Sequence, residues 1–266
     1  MDFSKVKLVV SDMDGTLLNQ NNEVSYRFFS QFKALKKRNI HFVAASGRQY
    51  QSIVDKLDII KNDITIIGEN GGVLQHEQET KVLLQLSKSE VAKTVELLRT
   101  ISHCYVVLCG RKAAYIETND AHFISKFKQY YVAYEVIDDL LQDIDDEFLK
   151  IAVYHFESSE DFVLPHIQSL NKSFQVIVSG QHWLDISHIN ANKAYALQMV
   201  QEKMNIATHE TMIFGDYNND LEMMRLGYFS YAMGNAHPKV KEAARFETKT
   251  NSEEGVEYIL EKLIAS

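Results

Sequence analysis

Two apolar patterns alternate along the first 75 residues. Val6 to Val10, Ile40 to Ala45 and Ile64 to Ile67 are short runs rich in β-branched residues, which predict strands buried on both faces. Between them, Phe28, Phe29, Phe32 and Leu35 recur at helical spacing behind a Ser25 cap and before Lys36-Lys37-Arg38. A second helix is expected from about Gln49 to Leu57. Strand and helix in this alternation predict an α/β fold with a doubly wound, Rossmann-like parallel core sheet.

Near residue 80 the rhythm changes. Lys81 to Leu86 reads as a connecting strand and Glu90 to Ile101 as an amphipathic helix. Tyr105 to Leu108 and Ala113 to Glu117 flank a Cys109-Gly110-Arg111-Lys112 turn and read as a hairpin. Further helices are expected over Phe123 to Tyr131 and Glu160 to Leu170. Strands are expected over Leu149 to Phe156, Phe174 to Ser179 and Trp183 to Ser187. Hairpins mixed with helices indicate an α+β segment inserted into the sheet domain. The acidic run Asp138 to Glu147 is expected as a solvated loop or helix end. From Asn190 the first pattern returns. A helix is predicted from Asn192 to Met204, strands at Met212 to Phe214 and Tyr228 to Met233, and helices at Leu221 to Leu226, from Pro238 and over Glu254 to Leu263. The predicted organisation is a core of residues 1–81 and 188–266 with an α+β insert of residues 82–187, the segment that the resemblance below makes a cap.

Composition changes this picture little. A chain of 266 residues with 45% hydrophobic and 24% charged positions can bury a substantial core. A net charge of −8 argues against non-specific nucleic-acid binding and against a basic membrane-surface patch. Cys104 and Cys109 make no disulfide framework and lack a second Cys/His pair for zinc. No apolar run approaches membrane-spanning length and no signal segment is evident, so a cytoplasmic protein is expected.

The predicted strand ends carry the candidate chemistry: Asp12 and Asp14, then Ser46-Gly47-Arg48, then Lys193 at a helix start, then Asp216, Asn219 and Asp220. The carboxyl ends of parallel strands share one edge, so these groups can converge across 200 residues of chain. Their carboxylates suit a hard dication such as Mg²⁺. A lysine, a serine hydroxyl and free loop amides suit an anion. Together they suit phosphoryl transfer.

The order Asp-x-Asp-Gly-Thr, Ser, Lys, Gly-Asp-x-x-Asn-Asp resembles the four-motif set of haloacid dehalogenase-like phosphatases. The position and character of the insert resemble the larger cap of their Cof-type branch. The resemblance implies a phosphoric monoester hydrolase for small phosphorylated metabolites such as sugar phosphates. It implies Asp12 as nucleophile forming an aspartyl-phosphate and Asp14 as general acid and base. It implies Mg²⁺ at Asp12, the Asp14 carbonyl, Asp216 and Asp220, with Asp220 binding directly, through water, or by orienting Lys193. Ser46 and Lys193 are expected on the phosphoryl oxygens, and Gly47, Arg48, Asn70 and Asn219 near the substrate. Ala194 departs from the glycine many relatives carry after the lysine, with little chemical effect expected. Arg48 has two readings, a phosphate ligand or a partner of surface acids, and Asn70 two, a substrate ligand or part of a Gly-rich turn. His182 and Trp183 read as junction packing, and Tyr130, Tyr131 and Tyr134 as cap core or surface. A phosphotransferase or mutase, and a non-catalytic phosphometabolite-binding regulator, are the competing functions. A monomer or small homo-oligomer is expected.

Overall fold

The computed structural model describes residues 2–266. Two sheets divide the chain. The first half of the core runs β1 (Leu8–Ser11), α1 (Tyr26–Lys37), β2 (His41–Ala45), α2 (Tyr50–Lys56), β3 (Thr65–Gly68), β4 (Val73–His76) and β5 (Glu79–Val82). The middle runs α3 (Lys88–Leu98), β6 (Cys104–Gly110), β7 (Ala114–Ile116), α4 (Ala121–Phe127), β8 (Tyr134–Val136), β9 (Phe148–His155), α5 (Ser159–Phe162), α6 (Leu164–Ile167), β10 (Phe174–Val178) and β11 (Trp183–His188). The core then resumes with α7 (Lys193–Met204), β12 (Thr211–Gly215), α8 (Leu221–Met224), β13 (Phe229–Ala232), α9 (Pro238–Ala243), β14 (Phe246–Glu247) and α10 (Gly255–Ala265).

The core sheet has the order β14-β13-β12-β1-β2-β3-β4-β5. It is parallel from β14 to β3, and β4 and β5 are antiparallel additions at one edge. β1 sits between β2 and β12, with Val9 beside Phe42 and Met212. All of β1, β3 and β12 is buried, as the unbroken apolar runs require. Ser25 caps α1 by accepting from the Phe28 amide at 3.0 Å. Phe28 and Phe42 then pack with ring centroids 4.9 Å apart, docking the helix on the sheet.

The cap sheet has the order β10-β11-β9-β6-β7-β8 and is antiparallel except between β7 and β8. It carries its own apolar clusters, one with Val95, Ile151 and Leu184 and another with Phe123, Phe127 and Trp183. The acidic run is a loop anchored by buried Leu140 and Ile144.

Several expectations need correction. After β3 the chain turns back through β4, which the apolar pattern did not predict, and the connecting strand expected over Lys81 to Leu86 lies earlier, as β5. The helix expected over Glu160 to Leu170 is broken into α5, α6 and a 3₁₀ turn over Gln168–Lys172. Pro165 causes the break, because it has no N–H for the helix ladder. Among the described residues no helix is long and apolar enough to cross a membrane.

The cap is seated on the core through polar contacts to backbone. The buried Gln49 side chain donates to Ala133 O at 2.7 Å and accepts from the Val132 and Ala133 amides at 3.2 and 3.1 Å. Ser52 Oγ donates to Tyr130 O at 2.5 Å.

Candidate active site

β1 ends at Asp12, and the chain then makes a wide turn over Met13–Leu17. Gly15 sits in that turn at φ +71°, and a Cβ there would lie 2.2 Å from Asp216 Oδ2. Only glycine permits both the conformation and the approach. The loop after β12 thereby reaches the loop after β1, and Thr16 Oγ1 donates to Asp216 Oδ1 at 3.3 Å.

Asn192 caps α7 through the Tyr195 amide at 2.8 Å and sets Lys193 as its first residue. Lys193 is fully buried. Its Nζ donates to Asp12 Oδ1 at 2.5 Å and to Asp220 Oδ1 at 2.7 Å. Burial works against the ammonium, yet Asp12 and Asp220 hold it above the ordinary lysine value. Asp220 Oδ2 accepts the Asp216 and Tyr217 amides at 2.9 and 3.1 Å. Of the readings for Asp220, its present contacts are those of a group orienting Lys193.

Oxygens of Asp12, Asp216 and Asp220 lie within 4.8 Å of one another. Burial pushes the Asp12 carboxyl up, against the pull of Lys193, and pushes Asp216 up with help from Asp12. Three clustered carboxylates share one ammonium, so the cluster carries excess negative charge. A set of hard oxygen donors with uncompensated charge fits a divalent cation.

Asp14 is not part of this cluster. Arg48 grips it with a fork, Nε to Oδ2 at 2.7 Å and Nη2 to Oδ1 at 2.6 Å. Arg48 itself is buried, donates Nη1 to Gln129 O at 2.6 Å, and lies 4.8 Å from the Tyr130 ring centroid. It therefore lines the cavity and also links Asp14 to the cap. Ser46 Oγ accepts the Arg48 amide at 3.1 Å, leaving its own proton to donate.

Asn70 is 2% exposed, and its amide group is engaged by protein: Nδ2 donates to Asp185 Oδ2 at 2.8 Å, and Oδ1 accepts Asn219 Nδ2 at 3.1 Å. A cavity of about 250 Å³ opens beside Asp12, Asp14, Ser46, Gly47, Asp216 and Asn219. Lys193, Asp220 and Asn70 stand behind this lining. From the cap the cavity is walled by Tyr130, His182 and Trp183, and by the buried pair Lys150 and Asp185. The sequence pattern gives Tyr130, His182 and Trp183 as packing or surface residues and does not single out Lys150 or Asp185. The available signal was a single charge inside an otherwise apolar strand, Leu149-Lys150-Ile151 and Leu184-Asp185-Ile186.

The family model for haloacid dehalogenase-like hydrolases matches residues 9–260. The chain belongs to the haloacid dehalogenase-like hydrolases. It is 31% identical over 266 residues to the 5-amino-6-(5-phospho-D-ribitylamino)uracil phosphatase YbjI of Escherichia coli K12, covering 97% of this chain and 96% of that protein. Its structure superposes on SMU.1108c of Streptococcus mutans UA159 with a TM-score of 0.90 at 27% identity, over 98% of this chain and 100% of the other. A haloacid dehalogenase-like hydrolase from Bacteroides thetaiotaomicron matches with a TM-score of 0.84 at 26% identity, over 97% and 99% of the two chains. Hydrolases of this family generally use a divalent metal, and this chain is a phosphoric monoester hydrolase of the branch with a large α+β cap.

Proposed function

We propose that the protein hydrolyses small phosphorylated metabolites, sugar phosphates or related phosphomonoesters, with Mg²⁺ and through an aspartyl-phosphate on Asp12. Residues 1–81 and 188–266 form the catalytic core in this reading, and 82–187 the cap that encloses the leaving group. The supporting observation is the asymmetry of Asp12. Lys193 holds Oδ1, while Oδ2 has no protein hydrogen bond among the described residues, at a carboxylate that lines the cavity.

Asp12 attacks phosphorus in line with the leaving oxygen, whose bond to phosphorus breaks as Asp14, entering this step protonated on one oxygen while the other keeps its Arg48 contact, delivers that proton to it. Asp14 then takes a proton from water, which attacks the same phosphorus and releases Asp12 with inorganic phosphate. Ser46 Oγ–H and the Gly47 amide receive the phosphoryl oxygens. Lys193 fixes the attacking carboxylate, and Asp220 fixes Lys193. Asp12, the Asp14 carbonyl and Asp216 would hold Mg²⁺, with Asp220 beside them, and the ion would neutralise charge on the phosphoryl group.

The relative from E. coli is named for a phosphorylated ribityl-aminouracil, a polyol carrying a flat ring. The cavity here is lined by the aromatic side chains Tyr130 and Trp183 and by the carboxylate of Asp185, so that class belongs in the substrate panel beside sugar phosphates. The test is inorganic phosphate release from such a panel, with added Mg²⁺ and with chelator. Release that needs Mg²⁺ and no acceptor other than water is expected. Transfer only to an added sugar would make it a phosphotransferase or mutase, and binding without release a regulator.

A further inference from the structure

The three successive carbonyls of the loop Ser46–Arg48 are each taken up by protein donors. Ser46 O accepts the Asn70 amide at 3.0 Å and Arg48 O accepts the Glu69 amide at 3.0 Å, both from within the core. Gly47 O accepts Lys150 Nζ at 2.5 Å, and Lys150 comes from β9 of the cap. A trans peptide points its N–H opposite its carbonyl. The Gly47 amide, on the peptide whose carbonyl faces Asn70, therefore points away from Asn70. It has no protein acceptor among the described residues.

Lys150 is 2% exposed and lies between two buried carboxylates, Glu69 Oε2 at 3.1 Å and Asp185 Oδ1 at 3.3 Å. The Glu69 contact lacks hydrogen-bond alignment, and both Glu69 oxygens are otherwise without a partner, so its attraction to Lys150 is electrostatic. Glu69 also holds φ at +52°, a conformation unfavourable for a non-glycine residue. From Asp185 the contacts continue through Asn70 to Asn219 at the cavity. A buried ionic cluster stabilises a fold no better than apolar packing of the same volume. Its location, split between cap and core and ending on the loops around Asp12, indicates another use.

We propose that Lys150 is a positioning residue of the reaction: with the cap seated, its ammonium fixes the Gly47 carbonyl and so completes the loop that receives a phosphoryl oxygen. The proposal rests on the phosphatase reading. Loss of Lys150 then weakens phosphate binding, whereas a purely structural pillar would alter only stability.

The test compares the native enzyme with Lys150→Met/Glu69→Gln/Asp185→Asn, which removes the whole ionic cluster without stranding a buried charge. Inhibition by inorganic phosphate and the KM and kcat for an aryl phosphate are measured with Mg²⁺, alongside the thermal midpoint. The expected result is a folded variant whose phosphate inhibition constant and KM rise about tenfold, the loss of one charge-assisted hydrogen bond. A folded variant with phosphate inhibition within about twofold of native, well below that expectation, overturns the proposal. Independently, the Gly47 amide resonance of the native protein should shift on titration with inorganic phosphate. An unmoved resonance overturns it even if the variant fails to fold. A native protein that neither releases nor binds phosphate would instead refute the phosphatase reading itself.

Discussion

Replacing Arg48 by methionine separates the chemistry of Asp14 from the stability of the seam. The substitution removes the two N–H contacts to Asp14, whose side chain is 40% exposed, so solvent screening limits that loss to about 1 kcal/mol. It leaves the Gln129 carbonyl without its donor, about 1–2 kcal/mol, and removes the cation over Tyr130, about 0.5–1 kcal/mol. Methionine refills much of the volume. Together these predict a loss of about 3 kcal/mol and a thermal midpoint lower by roughly 6–10 °C. The catalytic effect should be larger and selective. An unanchored general acid costs on the order of 10²-fold, but only where the leaving oxygen needs a proton. The assay is kcat/KM for an alkyl phosphate and for p-nitrophenyl phosphate, whose leaving group departs as an anion. The alkyl phosphate should lose about 10²-fold and the aryl phosphate less than about tenfold. Equal losses on both substrates would refute the role given to Asp14, and no loss on either would refute the importance of the Arg48 fork.

Gly15→Ala should raise the Mg²⁺ concentration for half-maximal activity at least about tenfold, because its Cβ would displace Asp216. An unchanged Mg²⁺ titration would remove Asp216 from the proposed metal site. His41, bonded to Thr65 at 2.8 Å, has its pKa lowered to about 4 by burial and by the nearby His76. The unfolded chain therefore takes up a proton that the folded chain refuses between about pH 6.5 and 4, and stability should fall by up to about 3 kcal/mol as pH drops through that window. Urea midpoints across this range should show the fall in the native protein and a shallower one in His41→Gln. Identical slopes would contradict it.

The sequence made the sheet legible because parallel strands buried on both faces leave unbroken apolar runs, as in β1, β2 and β12. It made the convergence of Asp12, Ser46, Lys193 and Asp216 legible because strand ends in such a sheet share an edge. What it concealed depends on partners far along the chain. Arg48 could be read as a phosphate ligand or a partner of surface acids, but its contacts with Asp14 and with Gln129 of the cap join positions 34 and 81 residues apart. Asn70 looked available in a Gly-rich turn, yet Asp185 and Asn219 occupy both ends of its amide. Lys150 and Asp185 lay within apolar strands, where periodicity reports burial and says nothing of the charge opposite. The β4 return over Val73-Leu74-Gln75-His76 has only two apolar residues and so leaves no apolar run to read.

The most direct measurement is acid-quenched single turnover with a radiolabelled phosphomonoester, followed by peptide mapping of the labelled protein. Label is predicted on the peptide containing Asp12, and Asp12→Asn should lose both the label and at least about 10³-fold of turnover while remaining folded. Turnover by Asp12→Asn at the native rate, or label on any other residue, would contradict the account.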